Sequence, residues 1–283
     1  MTTKFCCKCG KSFRKKNYFK IHQKNCVSIN FEEKISPYIK NSLEEIEIIS
    51  GVPKVVFVAW FGTLGNPFPL MSERRYLAFK SLVDNLEVPV ILITEKNLKY
   101  FIKDEYPIHQ GFQYLSGVHK SDYIRCYLLF HYGGGYHDVK FRDKSWKDCW
   151  NKDDWLNDDT IWIFGRRELH EGAIGYPPGQ EELKNHYKKL ASMNFVICKP
   201  YTPYLHDLVE QIHQKLDKHL EKLKQYPALH PGGNPDCLRT TPPDSYPLRW
   251  LEILGELFHP LMLKYNKHIK FGIPDAINKK RYK

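Results

Sequence analysis

The sequence predicts an α/β chain, a mostly parallel β-sheet flanked by helices and preceded by a small cysteine-bearing module. Two apolar, β-branched runs, Val55 to Gly62 and Val88 to Thr94, enclose a helical pattern from Arg74 to Leu86. Strand, helix and strand in that order point to a parallel crossover. Later short apolar runs, Thr160 to Phe164 and Asn194 to Cys198, and two helical stretches, Tyr204 to Lys224 and Pro247 to Tyr265, continue the same alternation. The third observation is uneven composition. Four of the eight cysteines fall in the first 26 residues, and residues 1–30 hold eight Lys or Arg with no Asp or Glu. Of the net charge of +11, +8 therefore belongs to that module and +3 to the rest.

The module, residues 1–28, reads Cys6, Cys9, His22, Cys26: C-x2-C, twelve intervening residues, then H-x3-C. That spacing lets a short hairpin and a helix close a tetrahedral zinc site, with His22 and Cys26 on one helical face. Phe13 and Phe19 supply a miniature apolar core, and Cys7 stands too near Cys9 to chelate with it. The pattern resembles a C2H2 zinc finger whose last histidine is cysteine. The resemblance would place base-reading positions at Lys15, Tyr18 and Ile21, and a single finger spans about three base pairs. Nucleic-acid phosphates and a protein partner are both open as targets, as is a merely solvated basic face.

Residues 29–50 show no strong strand pattern and read as a linker; residues 51–283 form the larger domain. A chain of 283 residues accommodates one ordinary core plus a small module. No run approaches the roughly 18 apolar residues of a membrane span, and the lysine-rich start lacks the apolar core of a signal peptide. Cys126, Cys149, Cys198 and Cys237 are scattered without a disulfide-like pattern. The expectation is a cytoplasmic protein in a reducing compartment. The polar loops 143–157 and 227–246 are long enough to cover a site.

The densest chemistry lies between Ser121 and Lys140. Gln113 to Ser116 reads as a strand, Ser121 as the N-cap of the next helix, and Asp122 and Arg125 share one face of its first turn. A carboxylate beside a guanidinium suits sugar hydroxyls, and a helix N-terminus favours phosphate. Gly133, Gly134 and Gly135 can end that helix with positive φ. Beyond them Asp138 and Lys140 point to one side if the chain is extended.

These residues resemble the nucleotide-sugar site of the family-32 glycosyltransferases, whose sugar-binding region carries a D-x-D motif and which include capsular polysaccharide synthesis proteins and fungal mannosyltransferases. The resemblance covers residues 51 to about 200. Its opening strand matches Pro53, Lys54, Trp60 and Gly62, and its S-D-x-x-R helix matches Ser121, Asp122 and Arg125. It implies a GT-A-like fold, a nucleotide-diphosphate sugar donor, retention of anomeric configuration, and a glycan or protein acceptor that the residues do not name. Carried over by position, Trp60 lies near the nucleotide base, Asp122 and Arg125 hold the donor sugar, Asp138 contacts ribose or metal, and Asn194 lies near the donor. Trp60 reads equally well as core.

Lys140 departs from the family: it stands at the second aspartate of D-x-D. Mn2+ or Mg2+ affinity at the donor site should therefore be weakened, with the ammonium itself opposing the charge of the leaving diphosphate. Asp138 and Lys140 are accordingly the catalytic candidates, with Asp143, His230 and His259 as lesser substitutes for a metal ligand. Two-metal phosphotransfer lacks its carboxylate cluster. The alternative to an enzyme is a degenerate transferase domain that serves the finger as a binding module.

Overall fold

Short β-branched and aromatic runs need neighbours on both edges to satisfy their backbone groups, and most of them find those neighbours in one sheet. The computed structural model describes residues 5–6, 12–13, 31–230 and 244–275. Near the start, β1 (Phe5–Cys6) pairs antiparallel with β2 (Ser12–Phe13). Cys9, His22 and Cys26, and the side chain of Cys6, lie outside the described residues.

The stretch read as a linker carries a short helix, α1 (Phe31–Ile35), and a strand, β3 (Ile48–Ile49), that pairs antiparallel with β4 (Val52–Pro53) just beyond it. It is tied to the domain: the Tyr38 ring meets Phe79 edge-on at 5.4 Å, and Asn97 Nδ2 donates to the Lys40 carbonyl at 2.7 Å.

Then follow β5 (Val56–Ala59), α2 (Glu73–Asn85), β6 (Val90–Ile93), α3 (Gly117–His131), β7 (Gly134–His137), β8 (Ile163–Arg167) and β9 (Ala191–Cys198). The described chain ends with α4 (Pro203–Gln225), α5 (Gly255–Lys264) and β10 (Ile269–Phe271). The sheet order is β10-β8-β9-β7-β5-β6. β5 runs parallel to β6 and β7, and β8 parallel to β10; β9 alone runs against its neighbours. The expected α/β class with a mostly parallel sheet is therefore what the chain adopts.

Apolar side chains fill both faces. Helices α3, α4 and α5 cover one face, while Phe79 and Leu82 of α2, with Trp146, Trp150 and Trp155, cover the other. Ser72 caps α2 as expected, accepting from Arg75 N at 3.3 Å.

Three expected elements are corrected. Residues 112–114 form a turn of 3-10 helix rather than a strand. The cap of α3 is Ser116, which accepts from His119 N at 3.2 Å; Ser121 lies inside the helix and donates to the Gly117 carbonyl. The last helix begins at Gly255 and not at Pro247, because residues 249–254 close three-residue turns, Glu252 N to Arg249 O and Leu254 N to Leu251 O.

Candidate functional site

Helix α3 is buried on nearly all sides, so its polar residues must find partners inside the protein. Asp122 is 7% exposed and Arg125 3%. Burial at that level is tolerable only for paired charges. Arg125 Nη2 donates to Asp122 Oδ1 at 3.0 Å and to Asp138 Oδ1 at 2.8 Å. Arg125 Nη1 donates to the Met193 carbonyl, and the guanidinium carbon lies 4.3 Å from the centre of the Tyr136 ring.

Asp138 reaches this helix because of the glycines before it. Gly133 (φ 70°) and Gly134 (φ 82°) turn the chain out of α3 directly into β7. A Cβ on Gly133 would stand 2.7 Å from Pro200 Cδ and 2.9 Å from the Cys198 carbonyl. Glycine is thus required both by conformation and by space. Asp138 then sits one residue past the carboxyl end of β7, at the edge where α/β sheets gather ligands. Lys140 shares its side, but through a tight turn and not the strand alternation expected: β7 ends at His137, Lys140 N donates back to the Asp138 carbonyl at 2.6 Å, and Lys140 Nζ lies 3.0 Å from Asp138 Oδ2 and donates to Asn194 Oδ1.

The result is a chain of alternating charge, Asp122, Arg125, Asp138 and Lys140, ending at the Asn194 amide. It lies on the wall of a cleft of about 680 Å³ lined also by Trp60, Arg75, Tyr136, Trp250 and Leu254. Trp60 is half-buried, lines the cleft, and donates from Nε1 to the Pro69 carbonyl at 2.8 Å.

The two carboxylates titrate in opposite directions. Burial pushes Asp122 up to about 7, and Arg125 only partly offsets it. Burial would also raise Asp138, but Arg125 and Lys140 together outweigh it and hold that carboxyl below its ordinary range. Next to it, burial and Arg142 push His137 down to about 3, so the ring is neutral. Asp138 is therefore a fixed anion, whereas Asp122 changes charge near neutrality.

All six residues expected at the donor site, Trp60, Asp122, Arg125, Asp138, Lys140 and Asn194, line this one cleft. The lesser candidates do not. His259 is buried elsewhere, accepting from Gly175 N at 2.9 Å, and Asp143 and His230 lie on the exposed surface. Arg75, Met193, Trp250, Leu251 and Leu254 also line the cleft and were not foreseen. Arg75 carried the clearest signal, as a cation in the first turn of a helix following the Trp60 strand; it donates to the Val139 carbonyl at 2.8 Å. Trp250 arrives through Tyr246, whose hydroxyl lies 2.6 Å from His119 Nδ1, a contact between residues 127 apart.

Among the described residues no helix is long and apolar enough to cross a membrane. No curated protein matches the chain. A search of solved structures finds a protein titled PaToxG glycosyltransferase, at 12% identity and a TM-score of 0.40, over 88% of this chain and 80% of that one. Residues 9–164 match the family model described as capsular polysaccharide synthesis protein, a span that includes Trp60, Asp122, Arg125, Asp138 and Lys140. That span exceeds half of the 283 residues, and the chain belongs to the capsular polysaccharide synthesis protein family.

Proposed function

We propose that the chain is an enzyme that transfers a sugar from a nucleotide-diphosphate donor to a glycan or protein acceptor, with retention at the anomeric carbon. The observation that carries this reading is the single charged wall formed by Asp122, Arg125, Asp138, Lys140 and Asn194 in a cleft at the carboxyl edge of the sheet. In this reading Trp60 lies against the nucleotide base. Asp122 accepts from sugar hydroxyls, Arg125 donates to them, and the cationic end of the wall meets the diphosphate. Retention follows the family resemblance.

The N-terminal module is assigned one structural zinc on Cys6, Cys9, His22 and Cys26, with nucleic-acid phosphates or a protein as its partner. A cytoplasmic setting suits Cys126, Cys149 and Cys198, all buried as free thiols.

The test is cleavage of a panel of UDP- and GDP-sugars by the purified chain, read by mass spectrometry. One donor should be turned over by the wild type and lost in Asp138→Ala. If no donor is cleaved or bound, the transferase reading fails and a binding module built on this fold takes its place.

A further inference from the structure

The family resemblance brings with it a divalent cation held by the D-x-D carboxylates, and the residues of this cleft do not fit one. Hard cations take several oxygen ligands, usually including carboxylate oxygens with open lone pairs. Here both oxygens of Asp138 already face cations, Arg125 Nη2 at 2.8 Å on Oδ1 and Lys140 Nζ at 3.0 Å on Oδ2. The other carboxylate in the cleft, Asp122, faces the same guanidinium at 3.0 Å. A divalent ion at Asp138 would have to enter between two existing positive charges. Among the described residues no group of three or more His, Cys, Asp or Glu is arranged to hold a metal ion.

Charge at the cleft wall points the same way. Three cations, Arg75, Arg125 and Lys140, stand against two carboxylates, Asp122 and Asp138. Such a wall is complementary to a diphosphate on its own. With aspartate at position 140 it would hold two cations against three carboxylates, and a diphosphate would then need a divalent ion to bridge it.

Lys140 is also built as a fixed charge and not as a loose surface lysine. Its ammonium is anchored by Asp138 Oδ2 on one side and Asn194 Oδ1 on the other. Asn194 is held in turn, donating from Nδ2 to Ser192 Oγ at 3.2 Å. The Lys140 side chain remains 29% exposed, so the charge is reachable from the cleft.

We propose that the donor site of this chain works without a resident divalent cation: the Lys140 ammonium, bracketed by Asp138 and Asn194, takes the cation's place against the leaving diphosphate. Asp138 is then a positioning anion for Lys140 and Arg125 and not a metal ligand. This rests on the glycosyl-transfer reading above. In the step it serves, the bond from the anomeric carbon to the phosphate oxygen breaks and its electron pair stays on the diphosphate. The acceptor oxygen bonds to the same carbon, and its proton passes to the diphosphate that leaves. Lys140 forms no bond to the sugar; it stabilises the charge that accumulates on the leaving oxygen.

The test uses the full chain in buffers cleared of divalent metal by a chelating resin, a gentler treatment than EDTA for the zinc expected on the N-terminal module. Binding of UDP, GDP, CDP, ADP and dTDP is measured by calorimetry without metal and with about 1 mM Mn2+. The expected result is that one diphosphate binds the wild type without metal and gains less than about threefold from Mn2+. Lys140→Asp should lose at least about tenfold without metal and recover with Mn2+, while Lys140→Arg keeps metal-free binding. If Lys140→Asp fails to fold by circular dichroism, the uncharged Lys140→Met takes its place and should lose metal-free binding. Asp138→Asn should weaken binding without creating an Mn2+ response. Wild-type binding that needs Mn2+ overturns the proposal and leaves glycosyl transfer standing. Binding of no diphosphate under either condition overturns both.

Discussion

Replacing Arg125 by methionine keeps an unbranched, polarisable side chain against Tyr136 but removes the guanidinium that contacts both Asp122 and Asp138. The geometry sets the magnitude. Arg125 Nη2 contacts both carboxylates, at 3.0 and 2.8 Å, and the three side chains are 4%, 10% and 22% exposed. Removing one partner from a pair buried to this degree costs about 3–5 kcal/mol. At about 2–4 °C per kcal/mol for a chain of this size, the melting temperature should fall by roughly 6–20 °C.

The pH dependence gives a second, independent readout. In the wild type, burial already raises Asp122 from 3.8 to about 7, so its contribution to stability is greatest below about 4 and declines as pH rises through 7. Asp138 behaves oppositely: held below its ordinary value, it contributes above that value and loses its contribution only in acid. Without Arg125, Asp122 rises further, and Asp138 loses one of the two cations that hold it down. The variant should therefore suffer more at pH 8, where the wild type holds both carboxylates ionised against Arg125, than at pH 5, where Asp122 is protonated and only Asp138 loses its partner. Melting curves by circular dichroism at both values, for wild type and variant, measure the difference. A loss under about 3 °C, or an equal loss at the two pH values, would refute the reasoning that this guanidinium compensates two buried carboxylates.

Other outcomes follow from single contacts. Asp122→Asn should remove the inflection that the wild type is expected to show near pH 7 in donor KM, where KM falls as the carboxylate ionises; a variant with the same inflection would assign it elsewhere. Gly165→Val should destabilise by about 1–3 kcal/mol, since even a Cβ there would stand 2.7 Å from the Ala191 Cβ across the β8–β9 ladder; an unchanged melting temperature would mean that the strand yields. Elemental analysis of the full chain should find one zinc per molecule, lost in the double change Cys6→Ser and Cys26→Ser, while donor cleavage persists because the cleft is lined by residues 59–254.

Much of this was legible because strong local patterns agree with the fold. The runs at Val55 and Val90 are continuous and apolar, as strands buried on both faces must be, and the helix between them carries an unambiguous Ser72 cap. The start of α3 was misplaced because Ser116 and Ser121 are equally good caps in isolation. What separates them is tertiary: Ser116 N donates to the Tyr246 hydroxyl at 3.3 Å, a partner 130 residues away. Periodicity could not mark α3 as a site helix either, since it is buried all round and has no polar face. Asp122 and Arg125 were found by motif instead. Trp250 and Leu254 were invisible for the same reason as Ser116: their place depends on a segment docked by His119 and Tyr246.

The strand that runs against the others explains why the site forms where it does. The β7–β9 register pairs His137 with Phe195, and the ladder continues one step further, with Asp138 N donating to the Asn194 carbonyl at 2.8 Å. Asp138 is therefore locked at the backbone to the residue whose side-chain oxygen meets Lys140. The preceding residue, Met193, gives its carbonyl to Arg125. Two consecutive residues of one strand thus anchor the two cations that flank Asp138, and Ser192 steadies the Asn194 amide beside them. Strand register is set by the hydrophobic pattern, and a slip of one residue would send every side chain of β9 to the opposite face. It would move Phe195, Val196 and Ile197 out of register with the core and take Asn194 away from Lys140 at the same stroke. Stability of the sheet and placement of Lys140 are in this way enforced by the same ladder.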